Sequence, residues 1–220
     1  MTELRLGVLA TSRKENELRL PIHPDHIERI EPDLRERMVF ETGYGQRFGR
    51  VELPAVASRE EIIATTDIVL LPKPTLEDLH ALRDGQIMWG WPHAVQDAEL
   101  TQIAIDKQLT LIAWEAMHHW TSDGEHMVHV FHLNNEMAGY CSVLHAMALN
   151  GTTGHYGRHL RGVILGFGNT ARGAITALHG MGVHDVTALT MRDITAVASP
   201  IPAVPMEHMH RDNGHIEVGD

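Results

Sequence analysis

One cysteine, Cys141, stands in 220 residues, so no disulfide can form within the chain. No stretch is long and apolar enough to cross a bilayer, which argues against a membrane protein. No run of lysine or arginine occurs, and 18 basic residues face 29 acidic ones for a formal charge of −11. That balance argues against a nucleic-acid or anionic-membrane surface. The first strand-like run starts at Leu4, which leaves no room for a signal peptide, and a cytoplasmic protein is expected. Hydrophobic residues make up 43%, an ordinary share for a globular chain with a sizeable core.

The most informative stretch present is GVILGFGNTARG at residues 162–173, followed by a helical pattern to Gly182 and a second apolar run over 186–191. A short strand breaks at a turn reading G-x-G-x-x-A, then a helix and another strand follow. That context makes the turn a dinucleotide-binding fingerprint. Gly166 permits the sharp turn, and Gly168 lets backbone N–H groups approach a pyrophosphate. Asn169 and Thr170 open the helix, whose N-terminus offers unpaired donors and a positive dipole end. Ala171 keeps that helix close to the strand.

Upstream, apolar runs alternate with capped helical patterns. Strands are predicted at 4–10, 38–41, 68–71, 86–89 and 110–114, with helices between them. Ser58 and Glu61 form a capping box for one of these helices. This alternation predicts a parallel α/β sheet. Residues 118–133 are polar and histidine-rich without clear periodicity, and 135–149 read as one helix. The expected organisation is therefore a substrate domain over 1–133, a linking helix over 134–154 and a dinucleotide-binding domain over 155–220. The second domain looks incomplete, because 199–205 read as neither helix nor strand and 214–219 hold at most one short strand. A fragment of a longer protein, or one half of a split pair, is expected. An unfinished sheet also exposes an edge that invites pairing, so a homo-oligomer is expected.

Three earlier motifs fall in order before the fingerprint: ENELRLPIHP at 15–24, LPKP at 71–74 and GWPH at 90–93. Together with it they resemble the alanine dehydrogenase and transhydrogenase α-chain superfamily. Within that superfamily, ASREEI at 57–62, LRDGQIMWGWPH at 82–93, AGY at 138–140 and LGFGNTARGA at 165–174 resemble the N(5)-(carboxyethyl)ornithine synthases. The resemblance runs to Arg192 and implies an oxidoreductase of amino-acid metabolism, carrying out reductive amination. A 2-keto acid such as pyruvate condenses with an amino-acid amine, and a nicotinamide hydride reduces the imine. The alternatives are an alanine dehydrogenase using ammonia and NADH, and a non-catalytic fragment or subunit of a split dehydrogenase or transhydrogenase.

The resemblance assigns residues as well. Arg19 binds the substrate carboxylate with a planar fork, and Lys73 supplies a second cation to the carboxylate or the carbonyl oxygen. His93 matches the family's acid/base position, and an ordinary imidazole pKa of about 6.5 suits that work. Taken singly, each reads as an ordinary surface cation or one of 17 histidines; their order and context give them a role. At the end of the strand after the fingerprint, Thr190 is neutral and Arg192 can pair with a 2′-phosphate. NADPH is therefore expected over NADH, with Asp193 as the carboxylate that would reverse this preference. His118, His119, His126, His129 and His132 match no compact metal pattern, so no metal is expected. Cys141 has apolar neighbours in sequence and is expected to be a buried, inert thiol.

Overall fold

The computed structural model describes residues 3–49, 51–197 and 199–219. By their contacts the residues divide into two compact units, 1–117 and 118–220. The sequence-drawn limit at 133 falls later, after the hairpin that opens the second unit.

The first unit is built on six strands: β1 (Leu6–Val8), β2 (Met38–Glu41), β3 (Val56–Ala57), β4 (Ile68–Leu70), β5 (Ile87–Gly90) and β6 (Thr110–Ala113). Every pairing is parallel, in the order β3-β2-β1-β4-β5-β6, with Leu6 opposite both Met38 and Ile68. Between strands run α1 (Pro32–Arg35), α2 (Arg59–Thr65), α3 (Leu76–Ala81) and α4 (Ala98–Asp106). Side chains start the last three. Ser58 with Glu61 and Thr75 with Asp78 make capping boxes, and Asp97 accepts from Leu100 N. Met38, Val39 and Phe40 are all buried, as are Val69, Leu70 and Leu71. Burial of consecutive residues means that both faces of the sheet are covered, as a parallel sheet requires. The chain builds β2 and β3 on one side of β1, then β4 to β6 on the other. Loops after β1 and β4 therefore diverge, which opens a crevice at the carboxyl ends of the strands.

A buried ion network underlies that edge. Arg59, 9% exposed, reaches Glu41 Oε1 at 3.1 Å, Asp78 Oδ1 at 3.0 Å and the Thr11 carbonyl. Glu41 Oε2 accepts from Ala10 N at 2.6 Å, and Arg13 reaches Asp78 at 3.1 Å. The loop after β1 is thereby tied to β2 and α3. The glycine-rich loop 42–49 is anchored too: the buried Tyr44 hydroxyl donates to the Ile22 carbonyl and accepts from Ile22 N. Burial pushes that phenol well above its ordinary pKa.

The second unit begins with an antiparallel hairpin, β7 (His118–Trp120) and β8 (His126–His129), in the stretch without sequence periodicity. The helix predicted at 135–149 is α5 (His132–Asn150), and then come β9 (Arg161–Leu165), α6 (Asn169–Gly180) and β10 (Asp185–Thr190). Two strands follow, β11 (Met206–Asp212) and β12 (His215–Val218), giving a sheet ordered β12-β11-β10-β9. β11 is parallel to β10 and β12 antiparallel to β11. The short strand expected within 214–219 is β12, whereas β11 is a strand that the sequence did not mark. Asn213 and Gly214, both at positive φ, make the two-residue turn that joins β11 to β12. Helices α5 and α6 cross at two glycines. A Cβ on Gly139 would overlap the Thr170 carbonyl, and one on Gly173 the Glu136 carbonyl.

Candidate active site

Four neighbouring strands of the first unit, β1, β4, β5 and β6, deliver Arg19, Lys73, His93 and Glu115 from the loops at their carboxyl ends. The three residues singled out in the sequence are brought together: the charge of Arg19 acts on Lys73, and both act on His93.

Arg19 is held on two sides. Its Nε donates to Glu17 Oε1 at 2.8 Å and its Nη2 to Glu17 Oε2, while Arg19 N also donates to Oε1 at 3.0 Å. The guanidinium carbon lies 4.5 Å from the centre of the Trp91 ring, a cation–π contact. Trp91 in turn meets Trp114 edge-on at 4.5 Å. The Glu17 carboxylate is 7% exposed, and the hydrogen bonds from Arg19 hold it below the ordinary carboxylate range despite burial. Glu17 occupies the Nε edge of the fork, so the Nη1 edge can present donors to a second anion.

Lys73 sits between Pro72 and Pro74. Its carbonyl accepts from the Ser12 hydroxyl, and the Pro72 carbonyl accepts from Trp91 N at 2.9 Å. The loops after β1, β4 and β5 are thus joined, the first through the Ser12 hydroxyl and the last through backbone groups. Burial and the charge of Arg19 lower the Lys73 pKa, and Glu115 and Glu17 work against that.

His93 adopts a left-handed backbone conformation, φ 49° and ψ 39°. Its N–H donates to Glu115 Oε1 at 2.6 Å, and its ring Nδ1 lies 4.0 Å from the same oxygen. Burial, then the charge of Lys73, lowers the imidazole pKa, with Glu115 opposing them. A lowered value leaves His93 mainly neutral at pH 7, the form that accepts a proton. The arrangement provides cationic donors for a carboxylate beside a base for the group attached to it.

Glu17, Trp91, Trp114 and Glu115 were not marked by any motif role. Glu17 had one signal, a carboxylate two residues before a candidate arginine. Glu115 follows β6, and only the strand order shows that β6 lies beside β5.

In the second unit the glycine turn joins β9 to α6. Gly166 has φ +89° and donates from its N to the Leu189 carbonyl at 2.6 Å. Gly168 precedes α6 without a side-chain cap, and a Cβ there would meet open space. Asn169, Thr170 and Ala171 form the first turn of this 12-residue helix. These features fit a nucleotide pyrophosphate, with donors free of side chains at a positive helix end. A close approach of α6 to α5 lies at Gly173, two residues beyond Ala171. Thr190 ends β10 and is 2% exposed, and its hydroxyl accepts from Arg192 N at 3.1 Å. The Arg192 side chain is exposed, and Asp193 accepts from Thr195 N at 2.9 Å.

The histidine-rich stretch brings His118 and His129 to a ring separation of 5.0 Å, and His129 Nδ1 accepts from Phe131 N. The side chain of His126 lies outside the described residues. Among the described residues no group of three or more His, Cys, Asp or Glu could hold a metal ion, and no helix is long and apolar enough to cross a membrane. Cys141 is exposed on α5, correcting the expectation of a buried thiol; its apolar sequence neighbours lie on other sides of the helix.

No protein-family model matches the chain. It is 27% identical over 191 residues to N(5)-(carboxyethyl)ornithine synthase of Clostridium botulinum, covering 80% of this chain and 58% of that protein. To the alanine dehydrogenase of Lysinibacillus sphaericus it is 30% identical over 111 residues, 47% of this chain and 30% of that one. Among solved structures, an L-alanine dehydrogenase superposes with a TM-score of 0.66 at 19% identity, covering 93% of this chain and 60% of the other. That likeness is one of fold. The two sequence relatives support the superfamily to which the spaced motifs point. The chain spans less than two thirds of the length of each of these proteins.

Proposed function

We propose that this chain, similar in sequence to N(5)-(carboxyethyl)ornithine synthase, carries the substrate site and nucleotide cradle of an NADPH-dependent oxidoreductase. The reaction is the reductive condensation of a 2-keto acid such as pyruvate with an amino-acid amine, in a cytoplasmic homo-oligomer. The observation that carries this reading is the assembly of Arg19, Lys73 and His93 in one charge-coupled group at the crevice.

The substrate carboxylate lies on the Nη1 edge of Arg19, and Lys73 donates to the carboxylate or the keto oxygen. Neutral His93 takes the proton that the attacking amine must lose. It then returns that proton to the former keto oxygen, giving the carbinolamine, and a second transfer by the same route from nitrogen to hydroxyl releases water and leaves the imine. When bound, a reduced nicotinamide would supply a hydride to the imine carbon, with a solvent proton completing the amine nitrogen. Gly166, Gly168, Asn169, Thr170 and Ala171 form the pyrophosphate cradle. Arg192 would pair with the 2′-phosphate, while Thr190 supports its turn through a buried hydroxyl. Asp193 is engaged in capping the turn at 194–196, which favours NADPH over NADH.

An alanine dehydrogenase reaction, with ammonia and NADH, is the second reading, favoured by the 30% identity to such an enzyme. Purified chain given pyruvate, either nucleotide, and ornithine or ammonia in turn tests both. Turnover with ornithine and NADPH supports the first reading, and turnover only with ammonia and NADH replaces it. If the chain binds nucleotide without turnover under any combination, a non-catalytic fragment or subunit is the correct description.

A further inference from the structure

His93 is a non-glycine residue in the left-handed region, directly after Trp91 and Pro92 and at the start of the turn 94–96. One oxygen, Glu115 Oε1, meets it twice: by accepting its backbone N–H at 2.6 Å and by lying 4.0 Å from its ring Nδ1. The second separation is too long for a hydrogen bond and short enough for a strong charge interaction. Glu115 itself is fixed in the turn Trp114–Ala116 directly after β6, which pairs with the strand that leads to His93. Both residues are partly buried, with 34% of the His93 side chain and 28% of the Glu115 side chain exposed.

We infer that Glu115 is the positioning residue of His93, one carboxylate oxygen fixing its backbone conformation while its charge sets the proton affinity of the ring. The inference rests on the proposed acid/base role of His93. The groups acting on the ring come from three loops: Lys73 after β4, Arg19 after β1 and Glu115 after β6. The two cations favour the neutral ring and the carboxylate favours the charged one. Glu17 enters indirectly, by its contacts with Arg19 and its pull on Lys73. Two positive charges would otherwise drive the midpoint of His93 further below neutrality. Glu115 keeps it nearer the working pH, where a group that takes and returns a proton is most effective.

The sign is definite. Glu115→Gln keeps an oxygen for the His93 N–H but loses the charge, so the His93 midpoint falls, by about half to one pH unit. The test is an NMR pH titration of the full chain without ligand, with the His93 ring signals assigned through His93→Gln. Glu115→Gln should lower the midpoint and leave the His93 backbone amide shift in place. Glu115→Ala should lower the midpoint and also displace that amide shift. An unchanged or raised midpoint in Glu115→Gln overturns the inference; the near-isosteric variant keeps this decision available if Glu115→Ala fails to fold. Where pyruvate is turned over, the rising limb of kcat against pH moves to lower pH in Glu115→Gln. A lowered midpoint in a chain that turns nothing over supports the Glu115–His93 coupling and removes the reaction proposed above, so the two failures are distinct.

Discussion

β2 and β4 bury every residue along their centres, whereas β9 buries none fully: Val163 and Leu165 are 63% and 75% exposed on one face. The units also differ in how they make a site. In the first, side chains do the holding: Glu17 and Trp91 hold the Arg19 side chain, Glu115 holds the His93 backbone, and Arg59 holds the loop from which the group begins. In the second, the proposed cradle is backbone, shaped by a positive φ at Gly166 and a helix end without a side-chain cap. A site of charged side chains needs a rigid, largely buried frame to keep its cations apart from competing partners. A phosphate cradle needs room for the ligand and a helix in the right place, and the glycine crossing of α5 with α6 secures the latter.

The sharpest break of that contrast is Arg59→Ala. It leaves Glu41 and Asp78 buried without their shared cation and should cost the first unit about 3–5 kcal/mol. Urea unfolding followed by circular dichroism should show one transition moving early while that of the second unit stays. Gly173→Leu is the counterpart. It forces α5 and α6 apart, costs about 3 kcal/mol, and should lower the calorimetric melting of the second unit alone. Arg19→Lys keeps the charge but loses the fork. Titration calorimetry should show oxamate, a pyruvate analogue, binding weaker by about 1.5–3 kcal/mol, with NADPH affinity unchanged. The smallest effect sharpens the contrast between the sheets. Val163→Thr should change stability by less than about 0.5 kcal/mol, whereas Val69→Thr, burying a hydroxyl in β4, should cost about 1–3 kcal/mol.

The parallel sheet and the fingerprint were legible because their signals are local: apolar runs, the Ser58 capping box and a glycine turn between strand and helix. Arg19, Lys73 and His93 were legible through spaced motifs. β11 was not, since Glu207, His208, Arg211 and Asp212 give it no apolar alternation and its place comes from pairing with β10. The Asn213–Gly214 pair was a readable hairpin signal, but it marks a turn only once a strand precedes it. Glu115 was hidden for another reason. It is 22 residues from His93, and the contact exists because β6 pairs beside β5. Strand order, which no residue pattern here encodes, is what converts four separate loops into one crevice.

The aromatic packing behind Arg19 has an optical consequence. Of the four tryptophans, Trp89, Trp91 and Trp114 belong to the first unit, with ring centres 6.3 Å apart for Trp89 and Trp114 and 4.5 Å for Trp91 and Trp114. Intrinsic emission from the chain is therefore dominated by one cluster. The cation over Trp91 lowers the electron density of that indole, and an anion arriving at the guanidinium reverses part of the effect. On the proposed role of Arg19, tryptophan emission would report carboxylate binding without label or turnover.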